Sequence, residues 1–133
     1  MSITVIGAGL AGCEAAWQIA SKGEAVTLCE MKPKKYSPAH SSEQFAELIC
    51  SNSFKADRVE SAAGLLKEEM RRFHSLLMEC VDQCRVPAGG ALAVDRDRFS
   101  QMVTEKIKSN PLIKVISEEV MEIPKEGITV IAT

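Results

Sequence analysis

The sequence predicts an α/β fold of Rossmann-like type with a mainly parallel sheet, and three observations carry that prediction. Ile3 to Pro33 reads as strand, glycine turn, helix and strand. The middle of the chain has apolar residues at helical spacing, and short β-branched runs return near its end. That order, with strands alternating with helical stretches, is the signature of parallel strands joined by crossover helices.

The first strand is Ile3 to Ile6, a β-branched run of the kind buried in a parallel sheet. A helix follows from about Leu10 to Lys22. Its small residues Ala11, Gly12, Ala15 and Ala16 allow close approach to the sheet, and Gly23 is placed to end it. Ala25 to Cys29 is the second strand, with Glu30 at its carboxyl end. Met31 to Ser42 reads as loop, and Glu43 to Cys50 as two helical turns. One long amphipathic helix is predicted over Val59 to Cys84, its stripe formed by Leu66, Met70, Phe73, Leu77, Cys80 and Cys84. A Gly89-Gly90 turn leads to a short strand at Ala91 to Val94. Asp95 then caps a helix that runs to about Ser109. Ile113 to Ser117, Val120 to Ile123 and the terminal GITVIAT read as further strands.

The totals bound the function. A chain of 133 residues makes one domain with a real core. Apolar residues at 46% and charged residues at 26% are near the globular average, and a net charge of −2 supplies no global attraction for nucleic acid or anionic membrane. No apolar run approaches the roughly 20 residues of a membrane-spanning helix. Ile3 to Ala20 is apolar but is interrupted by Glu14 and has no basic segment before it, so it does not read as a leader. Five cysteines outside any disulfide framework suggest a reducing, cytoplasmic setting with free thiols.

Gly7, Gly9 and Gly12 form G-x-G-x-x-G. The first glycine permits the tight turn, the second admits a pyrophosphate to the backbone, and the third lets helix and strand pack. The phosphates then face the unpaired amides and positive end of a helix. The pattern follows a strand, opens a helix and has an acid, Glu30, at the expected distance, which makes it a dinucleotide site rather than a chance turn. The candidate cofactor residues are Gly7, Ala8, Gly9, Leu10, Ala11, Gly12 and Glu30. Glu30 is placed to accept the ribose hydroxyls and to repel a 2′-phosphate. The motif itself leaves FAD and NAD open.

Of the cysteines, Cys80 and Cys84 lie four apart, which is half of a metal site. They continue an apolar stripe and have no second pair, so core packing is expected and no metal. Cys13 and Cys29 read as small hydrophobes. His74 reads as a helix-boundary residue. His40, in a loop, is either a solvated residue or a group that binds an anion near the cofactor. Cys50 stands where an apolar segment meets Ser51-Asn52-Ser53, at the end of the two helical turns expected there. Beside backbone amides its thiol would be activated as a nucleophile; otherwise it is core filler.

The stretches VIGAGLAGCEAAW, EMKP, PAH, FAELICSNS, GLLKEEMR and VPAGGALAVDR together resemble the N-terminal part of the TrmFO (Gid) family of folate- and FAD-dependent tRNA uracil-5-methyltransferases. Lys32 departs from the arginine expected at that position. The related tRNA wobble-uridine flavoproteins of the MnmG/GidA type carry proline after Cys-Asn, whereas this chain has Cys50-Ser51-Asn52. The resemblance implies FAD as cofactor, methylenetetrahydrofolate as carbon donor, NAD(P)H as reductant and a T-loop uridine of tRNA as substrate. It implies that Cys50 is a catalytic thiol, as nucleophile or proton donor, with a second cysteine in a later part of the family's sequence. It also implies that residues 1–133 are the N-terminal part of an FAD-binding domain, with the folate and RNA sites in chain beyond Thr133. The alternatives are an FAD- or NAD-linked oxidoreductase of a small molecule, an MnmG-type or rRNA-modifying relative, and a non-catalytic nucleotide-binding module.

Overall fold

The structure is a computed structural model that describes residues 1–133. In chain order the elements are β1 (Ile3–Ile6), α1 (Leu10–Ser21), β2 (Val26–Cys29), β3 (Ser53–Ala56), α2 (Ala62–Arg72) and α3 (Leu76–Gln83). They continue with β4 (Arg85–Val86), β5 (Ala91–Val94), α4 (Arg96–Ser109), β6 (Ile113–Ile116) and β7 (Ile128–Ile131). Four strands form a parallel sheet in the order β6-β2-β1-β7. Val5 stands in register with Leu28 on one side and Val130 on the other, so alternate residues share a face. The face with Val5, Val26, Leu28 and Ile113 is buried, and α1 and α4 pack over this sheet. α1 inserts Cys13 and Ala16, and α4 inserts Phe99, Val103 and Ile107. The other face carries Thr129, Thr4 and Thr27 in register, and Ile131 on it is exposed.

The Rossmann-like prediction therefore holds for this sheet, with β1, α1, β2, β5 and α4 near their expected bounds. A second sheet was not expected. β3, β5 and β4 pair antiparallel in that order, with Ser53 opposite Ala93 and Arg85 opposite Val94. Strands of two to four residues are too short to establish a period in the sequence, and β3 is broken by a register shift between Ser53 and Ala56.

Three expectations are corrected. The helix predicted over Val59–Cys84 is two helices. At the break His74 takes φ 56°, and Ser75 caps α3 by accepting the Met78 amide at 3.2 Å. Glu14 of α1 completes the cap, accepting from the Ser75 hydroxyl at 2.7 Å and the Leu77 amide at 3.0 Å. The stripe divides with the helix. Leu77, Cys80 and Cys84 are buried, whereas Leu66 and Phe73 are exposed. Glu43–Cys50 is not helical but an irregular segment with Ala46 at φ 50°. Its form is set by Lys32, whose buried ammonium donates to the carbonyls of Ser42 at 3.0 Å and Gln44 at 2.7 Å and pairs with Glu47. Val120–Ile123 is not a strand, and Met121 and Ile123 are exposed.

Candidate dinucleotide site

The carboxyl ends of all four parallel strands open into one cavity of about 420 Å³. Gly7, Ala8 and Gly9 follow β1, Cys29 to Met31 end β2, Glu118 to Val120 follow β6, and Ala132 and Thr133 follow β7. The order in which strands are added reverses at β1, with β2 and β6 on one side and β7 on the other. In open α/β sheets, ligands bind at this topological switch point.

The three glycines have different reasons to be glycine. Gly7 lies at φ 99°, and a Cβ there would sit 2.6 Å from the Ala132 carbonyl oxygen. At Gly12 a Cβ would fall 1.7 Å from the Gly7 carbonyl oxygen. Both are demanded by the chain itself. Gly9 has φ −74°, and a Cβ there meets nothing within 4 Å. The fold does not require glycine at that position, and the space beside it is open.

Gly9 is also the N-cap of α1 and offers no side chain to its amides. The first-turn amides of a helix lack intrahelical acceptors. Ser61, Ser75 and Asp95 cap α2, α3 and α4 respectively. α1 alone has neither a side-chain cap nor an acid in its first turn. Its open end stands at the cavity, where unpaired amides and the helix dipole favour an anion. Gly7, Ala8, Gly9 and Glu30 line the cavity. Leu10, Ala11 and Gly12 stand behind as the first turn of α1, and Gly12 is buried.

Glu30 is buried and does more than the motif requires. Its carboxylate accepts the Ala8 amide at 2.8 Å and the Lys32 amide at 3.0 Å. It thereby ties the glycine loop to the end of β2, with oxygen lone pairs left over. His40 lines the same cavity, with Nδ1 against the Ser37 hydroxyl. Glu118, Glu119, Ser37 and Met31 were not singled out in the sequence. The signal for the two glutamates was their place just beyond a strand of the parallel sheet.

Cys50 is exposed, so it is not core filler. It does not line the cavity of the glycine loop, and the helix end expected beside it is absent. Its polar neighbours are engaged with the chain. Asn52 donates to the Val94 carbonyl at 2.9 Å, and Ser51 accepts the Ser53 amide at 3.0 Å. The segment before it reaches the glycine loop, where the Ala46 amide donates to the Ala8 carbonyl at 2.9 Å. The other four thiols are buried. Burial pushes Cys13 and Cys80 up to about 12 and raises Cys29 and Cys84, so all four are poor thiolates. No group of three His, Cys, Asp or Glu side chains is placed to hold a metal, and no helix is long and apolar enough to cross a membrane.

A family model described as glucose inhibited division protein A matches residues 2–133. The methylenetetrahydrofolate–tRNA-(uracil-5-)-methyltransferase TrmFO of Acetivibrio thermocellus is 68% identical over 98% of this chain. The protein of the same name from Geobacter sulfurreducens is 60% identical over 99%. This chain covers 30% of each of these relatives. Among solved structures, Aquifex aeolicus GidA superposes on 94% of this chain with a TM-score of 0.74. The alignment takes in 20% of that protein at 17% identity, a likeness of fold. With the match running through nearly every residue, the chain belongs to the glucose inhibited division protein A family.

Proposed function

We propose that the chain is the N-terminal part of an FAD-binding domain. The enzyme it belongs to methylates C5 of a tRNA uridine, with methylenetetrahydrofolate as carbon donor and NAD(P)H as reductant, in the cytoplasm. The observation that carries this reading is the 68% identity, over nearly the whole chain, to a relative named for that activity. The site fits an FAD. The bare end of α1 suits the pyrophosphate, the open space at Gly9 admits it, and Glu30 suits the adenosine ribose. A cavity of about 420 Å³ takes the nucleotide half of so long a cofactor. When bound and reduced, FAD supplies the hydride that turns a transferred methylene into a methyl group.

Within this chain the work is binding and positioning, apart from the chemistry of one thiol. Gly9 keeps the helix end open, Glu30 holds Ala8 in the loop, and Lys32 with Glu47 fixes the segment that leads to Cys50. Cys50 is the one exposed thiol, and in this reading it is the nucleophile at uracil C6 or the proton-transfer group of the same reaction. The contacts to tRNA and folate belong to chain outside residues 1–133.

The test uses the intact protein. It should purify with a flavin absorption spectrum and methylate tRNA when given methylenetetrahydrofolate and NAD(P)H. Cys50→Ala should keep the parent Tm and flavin content while losing methylation. In the parent protein the Cys50 thiol should be alkylated faster than Cys13 or Cys80. Methylation by Cys50→Ala at the parent rate would remove the residue from the chemistry. A parent protein without flavin would overturn the whole reading.

A further inference from the structure

We infer that His40 is the side chain that binds the pyrophosphate of the dinucleotide, held by Ser37 as its Nε2–H tautomer. This rests on the cavity being a dinucleotide site and assigns a residue that the glycine motif does not contain.

The charges around the cavity carry the argument. A dinucleotide pyrophosphate is doubly anionic. Glu30, Glu118 and Glu119 line the cavity, and neither lysine nor arginine does. Lys34 and Lys35 are drawn outside it to Glu118 and Glu119. The Ala8 amide, one of the loop donors, is engaged by Glu30. Among the lining side chains only His40 can present a ring N–H to the phosphates. The remaining lining donors are neutral. The Ser37 hydroxyl is held against His40, burial raises the Cys29 thiol, and Thr133 offers one hydroxyl.

The ring is oriented by its own loop. The His40 amide donates to the Ser37 carbonyl at 3.2 Å, closing a tight turn. The Ser37 hydroxyl oxygen accepts the Ala39 amide at 3.3 Å and lies against His40 Nδ1. Beside the Ala39 bond the hydroxyl keeps its proton and a second lone pair, so it is able to donate to Nδ1. The binding form in this inference is the one in which it does so, with the ring proton on Nε2 as the donor to the phosphates. Ser37 and His40 both line the cavity and are half-buried, so the ring is positioned before the ligand arrives.

The experiment measures affinity of the flavin-stripped intact protein for FAD, ADP and adenosine by calorimetry, with Tm as the folding control. His40→Ala should weaken FAD and ADP by about tenfold, the scale for one hydrogen bond to a charged group, and leave adenosine unchanged. His40→Gln, which keeps a side-chain N–H donor, should recover most of the loss. Ser37→Ala should lose part of it. Unchanged ADP affinity in His40→Ala overturns the inference while leaving the dinucleotide site standing. An equal loss for adenosine also overturns it, because the contact would then be to the nucleoside. A parent that binds neither FAD nor ADP removes the dinucleotide site and this inference together.

Discussion

At the start of α4, Asp95 accepts the Arg98 amide at 3.0 Å and Asp97 adds negative charge to the first turn. At the start of α1, Gly9 supplies no side chain and no acid follows it. The backbones are equivalent, each with amides that the helix cannot satisfy. One end is finished by its own chain and is structural. The other is left bare at a cavity formed by four strand ends, next to a position where a side chain would fit without a clash. In the proposed reading the difference separates a helix end that serves the fold from one kept for an anion, and each claim can be broken separately.

The largest effect is expected at Gly12, where the chain itself needs glycine. Gly12→Val places a side chain within the Gly7 carbonyl and should cost about 4 kcal/mol or more, read as collapse of the thermal transition. Next is Glu30→Ala, which leaves the buried amides of Ala8 and Lys32 without their acceptor. A loss of about 1–3 kcal/mol per amide is expected in urea melts, together with weaker FAD retention. Glu30→Gln keeps one acceptor oxygen and should lose less. If Glu30→Ala loses FAD at full stability, the tie between loop and strand is unimportant.

Asp95→Ala should cost about 1 kcal/mol through the lost cap and leave FAD affinity alone. A change in FAD affinity would blur the distinction between the two helix ends. A smaller effect follows acid, far from the cavity. Burial works against the charged forms of Asp57 and Asp82, but hydrogen bonds from Arg71 and Arg85 outweigh it and lower both carboxyls. Their stabilisation is therefore full above the unfolded values near about 4 and is lost as pH falls through the lower folded ones. The stability gap between parent and Arg71→Ala should be full at pH 7 and close below about pH 4. A gap independent of pH would mean that Arg71 acts by packing. Both carboxylates are partly exposed, so solvent screening keeps the effect small.

The β1-loop-α1-β2 unit was legible in the sequence because its signals are local. Strand, glycines, helix and acid follow one another within a stretch that folds on itself. The break between α2 and α3 was not, because half of its cause is remote. Ser75 lies at the break, but Glu14, which caps α3 with it, is 61 residues away in sequence and read only as an interruption in an apolar run. The stripe from Leu66 to Cys84 was correctly apolar, yet periodicity says which face is apolar and not what covers it, and Leu66 and Phe73 stay exposed. The 43–50 segment was misread as helix because Lys32 and Glu47, meeting across the chain, fix its loops. Gly7, Gly9 and Glu30, singled out from the motif, do line the cavity. Glu118 and Glu119 needed the strand order before their place at the same opening could be seen.

Gly9→Asp in the intact protein tests the account most directly, with Tm and FAD affinity measured on the same sample. The extended backbone of Gly9 and the open space at its Cβ accept an aspartate, which would cap α1 as Asp95 caps α4. A Tm at or slightly above that of the parent is predicted, together with FAD affinity lower by roughly 10- to 100-fold as the carboxylate takes the amides and repels the phosphates. Parent-like FAD affinity in a folded Gly9→Asp protein would contradict the claim that the bare end of α1 holds the cofactor.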